Sequence, residues 1–345
     1  MAQSISIQSG SPLVGSPICV AVKSDTVGNA CAFHDVNLTI YAALSTDYVY
    51  DTFRLSAQAG NAEEVVFDIS SCLRILSTKY QYTPGSQQVP HLRFQLSAHD
   101  SYMRNGIYYD RQNVVNYGQE LTALFGAFSE RERLSMGNFA GISRFTRKPE
   151  TGEVFGTDFG YIYAVDKKEP VSLSSQNPSG PVSSYYTATL VSGMKEIEGR
   201  KVYFDSNKKD LLYFLFVNSR GAVESVCAET MESVNSIGTA DTDVRSYQTS
   251  FVSTGNISSR KSPRRTSISC STGPVNREWA EWWMDEFLGG DKFRDALSTS
   301  CWVNQEGVWI PCTAYADNEQ TTYNRSQDNE LQIRFTVRLA VTGHR

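Results

Sequence analysis

A chain of 345 residues with 40% hydrophobic and 20% charged content is long enough for two domains and too apolar to stay disordered. A net charge of −5 leaves no basic surplus, which sets aside wholesale binding to a nucleic-acid backbone. No run approaches the roughly eighteen apolar residues that a bilayer-spanning helix needs, so no membrane insertion is expected.

Strand patterns open the chain. Ile5 and Ile7 alternate with polar residues, and no basic stretch or apolar run marks a secretory signal there. Ile18, Val20 and Val22 alternate after Gly15-Ser16-Pro17. Val36, Leu38 and Ile40 follow, then Phe53, Leu55 and Ala57, then Val65-Val66-Phe67, then Leu92, Phe94 and Leu96. Asn105-Gly106 between Tyr102-Met103 and Ile107-Tyr108-Tyr109 predicts a hairpin, because both turn residues tolerate positive φ. Two short helices are expected, Ile69 to Leu76 and Gln119 to Phe128. Pro84 to Gln88 and Arg147 to Gly152 read as loops. The polar, proline-bearing stretch that opens with Ser174-Ser175-Gln176-Asn177-Pro178 predicts a linker at 174–184, between domains at 1–173 and 185–345.

The second half resumes the pattern at Tyr185 to Val191, Val202 to Phe204 and Leu211 to Val217. The last of these is apolar on both faces and hence central. Asn218-Ser219-Arg220-Gly221 turns the chain into Ala222 to Val226. One convincing helix runs from Arg277 to Leu288, with Asn276 as N-cap and Gly289-Gly290 as stop. Trp279, Trp282, Trp283 and Phe287 share one face of it, and Glu278, Glu281 and Asp285 the other. Near the C-terminus, Leu331, Ile333, Phe335, Val337 and Leu339 alternate strictly with Gln332, Arg334, Thr336 and Arg338. The expected class is mainly β: two antiparallel β-sandwich or barrel domains, the second with one docked amphipathic helix at 277–288.

Chemistry is sparse. No GxSxG, P-loop, GxGxxG, HExxH or EF-hand pattern occurs, so no catalytic residue, metal ligand or cofactor is expected. The histidines are His34, His91, His99 and His344. His91 and His99 flank one strand and would need a third ligand from elsewhere to hold a metal. The Glu278, Glu281 and Asp285 stripe has the spacing of a solvated helix face; glycoside chemistry wants two carboxylates across a cleft. Seven cysteines without a CxxC read as free thiols. A hairpin turning symmetrically through Asn304-Gln305-Glu306-Gly307 would set Cys301 against Ile310 and leave Cys312 diagonal to it, a poor position for a disulfide. The same register puts Trp302 opposite Trp309. That pair either packs on the helix tryptophans or, with exposed rings, forms a carbohydrate-stacking platform. Arg260, Lys261, Arg264 and Arg265 have three competing uses: a solvated loop, a salt-bridged contact with an acidic neighbouring subunit, or a nucleic-acid contact, the last without interleaved aromatics to stack on bases. Arg334 and Arg338 mark the polar face of the closing strand as a further candidate interface.

Pro17-Ile18-Cys19-Val20, Val66-Phe67-Asp68-Ile69-Ser70, the stretch from Leu212 through Phe216 and Val217 to Gly221, and a closing strand that ends Val337-Arg338-Leu339-Ala340 carry a resemblance. In pattern and order over most of its length, the chain resembles virion proteins encoded by phages and prophages of gut Bacteroidetes. Its plan is similar to distal tail proteins, where an N-terminal β domain forms a ring and a second β-sandwich lies outside it. The resemblance implies a non-enzymatic tail, tail-tip, baseplate or connector part with no catalytic residue to carry over. Its partners would be copies of itself in a cyclic ring and other virion proteins. Its location would be the virion, assembled in the host bacterial cytoplasm. The alternative is a receptor- or glycan-binding β-sandwich adhesin using Trp302 and Trp309.

Overall fold

The computed structural model describes residues 2–24, 31–59, 64–129, 132, 141–174, 182–187, 192–208, 210–237, 241–249, 252–260, 264–289, 301–316 and 331–339. The first half supplies β1 (Ala2–Gly10), β2 (Ile18–Ser24), β3 (Cys31–Leu44), β4 (Asp51–Gln58), β5 (Glu64–Asp68), α1 (Ser70–Ser77), β6 (His91–Arg104), β7 (Ile107–Asn116) and β8 (Leu121–Leu124). One antiparallel sheet runs β1-β2-β5, and a second runs β4-β3-β6-β7 with β8 also on β6. The apolar positions read from the alternation meet between them: Val20 and Val22 from the first sheet, Val36, Leu38, Ile40, Phe94 and Leu96 from the second, and Leu73 and Leu76 from α1. Asn105 at φ 52° and Gly106 at φ 75° form the two-residue turn between β6 and β7. A turn with both residues at positive φ matches the right-handed twist of the strands it joins.

The second half supplies β9 (Thr151–Gly156), β10 (Tyr161–Ala164), β11 (Ser183–Tyr186), β12 (Gly193–Ile197), β13 (Arg200–Asp205), β14 (Leu211–Val217), β15 (Val223–Ile237), β16 (Asp241–Thr249), β17 (Val252–Arg260), β18 (Arg264–Ser271), α2 (Arg277–Trp282, widening into a π turn over Trp283–Leu288), β19 (Cys301–Gln305), β20 (Val308–Ala316) and β21 (Arg334–Leu339). Six of these close a barrel in the order β14-β15-β18-β21-β20-β19. Its inner layer is Phe214, Phe216, Val226, Ile268, Phe335 and Val337, and the aromatic face of α2 packs onto it. Phe287 makes ring contacts with Phe214, Phe216, Trp283 and Phe335. Asn276 caps the helix as expected, its Oδ1 accepting from the Trp279 N–H at 2.9 Å. The alternating residues of β14, Leu215 and Val217, face outward into the core of the first half, which explains why that strand is apolar on both faces.

The mainly β class, with sandwich and barrel sheets and one docked aromatic helix, is therefore what the structure shows. Strand pairing also runs across the predicted linker. β10 pairs with β11, and β9 lies parallel to β13, while residues 175–181 between them and 188–191 of the next predicted strand lie outside the described residues.

Two local expectations are corrected. Gln119 to Phe128 is no helix: Leu121–Leu124 is β8, and every residue from Leu121 to Phe128 is buried. A short apolar run buried on all sides carries no period that separates strand from helix. At Gly126, an added Cβ would lie 2.7 Å from the Ser219 carbonyl oxygen, so this segment is held against the Asn218–Gly221 turn. The β19–β20 hairpin is also in a different register. Glu306 at φ 52° and Gly307 at φ 84° make a two-residue turn, so Trp302 pairs with Pro311 and Asn304 with Trp309. That tighter turn brings Cys301 and Cys312 together, with thiol sulfurs 3.6 Å apart, where the symmetric four-residue turn had set them diagonally.

Candidate functional site

The barrel strands β15 and β18 extend beyond the barrel. β21 accompanies β18 only over Ser267–Ser271, and β14 accompanies β15 only over Val223–Glu229. From Asn235 opposite Thr266 outward, β15 and β18 have only each other among the described strands. Ile237 pairs with Arg264, and Asp241 with Arg260. Both strands advance four residues between those pairs, so the outer β15–β18 ladder and the β16–β17 ladder share one register; together they are the two-stranded ribbon, whose last pair is Thr249 opposite Val252, and residues 238–240 and 261–263 between the ladders lie outside the described residues. The β16–β17 part alone is about 30 Å long at the rise of an extended chain. The predicted basic cluster falls at the facing ends of the two ladders: Arg260 opposite Asp241, Arg264 opposite Ile237 and Arg265 opposite Ser236, while Lys261 lies outside the described residues.

The closing strand places its side chains as the alternation predicts. Ile333, Phe335 and Val337 are buried in the barrel, and Arg334 and Arg338 are exposed on its outer surface. Arg338 stacks over the Tyr315 ring at 4.7 Å from its centroid, a cation–π contact to the neighbouring strand.

The tryptophan pair divides. Trp302 is 3% exposed and belongs to the core shared with the first half, so it presents no ring face to a ligand. Trp309 is half-buried and lines a cavity of about 420 Å³ together with Phe159, Tyr185, Ile162, Gln87 and Ser184. Elements from three places converge there: the loop at Pro84–Gln87, the β10–β11 pair and the barrel strands β14 and β20.

The residues weighed for catalysis stay apart. Glu278 and Asp285 are exposed, and Glu281 pairs with Arg277 at 2.9 Å, the ordinary contact of residues one helical turn apart. His91 and His99 share a face of β6, but eight residues of extended strand separate them by about 26 Å, too far for one ion. His99 lies 3.6 Å from Asp110 instead. His344 lies outside the described residues. Among the described residues no cluster of His, Cys, Asp and Glu has the arrangement of a metal site.

One group escaped sequence reasoning because its members lie far apart in the chain. Ser24, His34 and Asp100 meet in the first sandwich, all buried, with the Ser24 hydroxyl donating to Asp100 Oδ2 at 2.9 Å and lying 3.1 Å from His34 Nε2. Their composition is that of a nucleophilic triad but their geometry is not. In a triad the imidazole stands between serine and carboxylate and uses both nitrogens. Here Nε2 faces both partners, at 3.1 Å and 3.5 Å, and the serine proton goes to the carboxylate.

A larger buried ionic junction joins the first half to the barrel. Lys148 is fully buried; its ammonium donates to Glu153 Oε1 at 2.5 Å and to the Ser225 carbonyl at 2.7 Å, and Tyr161 donates to the other Glu153 oxygen at 2.7 Å. Beside it, Arg147 donates to Glu286 Oε2 at 2.9 Å and lies 3.6 Å from Glu132, which also pairs with Arg220. The Ser219 N–H donates to the other Glu286 oxygen. Burial by itself would raise the Glu132 pKa, but Arg220 and Arg147 outweigh it and hold the carboxyl below its ordinary range. A further carboxylate, Glu224, accepts from Thr146 at 2.8 Å and from Asn218 at 2.9 Å with no exposure to water. A signal for Glu286 was available: it stands seven residues after Trp279, on the apolar stripe of α2 and not on its acidic face. The π turn carries it there beside Phe287, and both are buried.

No family model matches this chain, and no curated protein or solved structure gives a match to it.

Proposed function

We propose that this chain is a non-enzymatic structural subunit of a phage virion, a ring-forming tail, tail-tip or baseplate component that acts through protein–protein contacts. The observation that carries the reading is the pair of two-stranded ladders in one register, outer β15–β18 and β16–β17. A lone hairpin in water is marginally stable, and both of its edges offer unpaired N–H and C=O groups. Such an element is suited to pairing with a sheet edge of a neighbour, where main-chain hydrogen bonds supply affinity. A ribbon that pairs with a different edge of its neighbour makes a head-to-tail contact, and such contacts form a ring when the rotation between neighbours closes. Among the described strands β4 pairs with β3 alone, which leaves its other edge to receive a strand, and Tyr48 and Val49 beside it are 95% and 81% exposed. The basic residues at the ribbon's mid-length and the cations of β21 supply charge for selecting a neighbour.

The experiment is mass measurement of the purified chain with negative-stain imaging. A closed cyclic assembly is expected. Replacing residues 238–263 by Asn-Gly, which joins the paired ends Ile237 and Arg264 through a two-residue turn, should give monomers with an unchanged melting temperature. A full-length chain that stays monomeric at high concentration and is absent from purified particles overturns the reading.

A further inference from the structure

We propose that the cavity beside Trp309 is a binding site for a neutral sugar ring. The proposal does not rest on ring assembly, because the cavity is built within one protomer. Three aromatic rings, Phe159, Tyr185 and Trp309, are among its lining. Phe159 stands 4.1 Å from the Tyr213 ring and 6.3 Å from Trp309, tilted against both. Tyr185, 55% exposed, lies so closely over Gly160 that an added Cβ there would sit 1.9 Å from its ring. Glycine at position 160 is thus what leaves room for the phenol in the cavity lining.

The chemistry of the lining selects the ligand class. Gln87 and Ser184 bring an amide and a hydroxyl, groups that both donate and accept hydrogen bonds. No charged side chain is among the described residues that line the cavity. A nucleotide, a phosphate or an acidic glycan would meet no counter-charge there. A hexose carries an apolar C–H face that lies against an aromatic ring and a rim of hydroxyls that need neutral partners. A volume of about 420 Å³ is in the range of small-molecule sites and leaves room for one or two such rings. The convergence of the first-half loop with the β10–β11 pair and the barrel is also where ligand sites concentrate, at junctions between packed units.

The test is calorimetric titration of the full chain with cellobiose, maltose and lactose, alongside galacturonic acid and an apolar fluorescent dye, with tryptophan emission followed in parallel. At least one neutral disaccharide should bind at millimolar concentration and shift the emission, while galacturonic acid does not. Trp309→Ala and Tyr185→Ala should each weaken that binding by about tenfold, the loss of one aromatic stacking contact. Trp309→Phe should retain most of the affinity, and circular dichroism should show every variant folded. The proposal is overturned if no neutral sugar binds, if the apolar dye alone binds, or if sugar binding survives both alanine substitutions. Because neither position lies on the ribbon, assembly should be the same in all three variants, so failure here leaves the ring reading standing.

Discussion

One pair of strands lives in two environments. Over its first residues β15 is enclosed: Val223 to Val226 are all buried, Val226 facing α2 inside the barrel and Ser225 exchanging hydrogen bonds with Ile162 outside it. β14 covers one edge there. Beyond Asn235 the same strand has β18 alone for company among the described strands. The composition changes with the setting, from Val-Glu-Ser-Val-Cys-Ala to Asn-Ser-Ile and then a polar run rich in serine and threonine. Stability of the enclosed part comes from burial, and the extended part has little of its own, so the first serves as scaffold and the second as a contact element.

The largest effects should come from breaking the enclosed part. Phe287→Ala removes the ring that touches four aromatic neighbours, and should cost about 3–5 kcal/mol in chemical denaturation. Excising the ribbon should leave that measurement unchanged; an equal loss on excision would erase the contrast. Glu153→Leu comes next. It leaves the Lys148 ammonium buried with no carboxylate, and should cost about 3 kcal/mol by the same measurement. Adding Lys148→Met should restore most of that loss, since two apolar side chains replace the pair; a double variant as unstable as the single would mean the pair's role is not electrostatic.

A smaller effect follows from pH. The Glu132 carboxyl titrates lower in the folded chain than in the unfolded one, so the unfolded state takes up its proton first as acid is added. The stability it contributes is complete above about pH 4.3 and is lost as the pH falls through its lowered native value. Urea midpoints measured from neutral to acid should show this fall, and Glu132→Gln should flatten it. Smallest of all, Arg334→Glu with Arg338→Glu should change folding stability by about 1 kcal/mol at most, because both side chains are exposed and the change gives up the contact of Arg338 with the Tyr315 ring. The same variant tests whether the barrel's outer surface joins the ribbon in assembly: weakened assembly would extend the contact element onto β21, and unchanged assembly would confine it to the ribbon.

Much of the fold was legible because its signals are local. The alternation around Phe335, the Asn105-Gly106 turn and the Asn276 cap each state their outcome within a few residues. Leu121 to Phe128 was misread because complete burial leaves no period. The β19–β20 register was misread because Asn304 to Gly307 allows either a four-residue or a two-residue turn, and the positive φ of Glu306 decides between them. Of the residues singled out, Trp309 reached a cavity and Trp302 did not, although the pattern treats them alike.

Residue order alone was enough to determine most of the segments that extend, the two that coil as α1 and α2, and which side chains want burial, since those preferences act through neighbours in the chain. Only tertiary structure decided that β15 and β18 outrun their barrel, that Glu286 turns inward to Arg147, and that Trp309 meets Phe159 and Tyr185 around one space. Those outcomes join residues separated by tens to more than a hundred positions. Their energies come from desolvation and pairing at sites that exist only once distant faces have met.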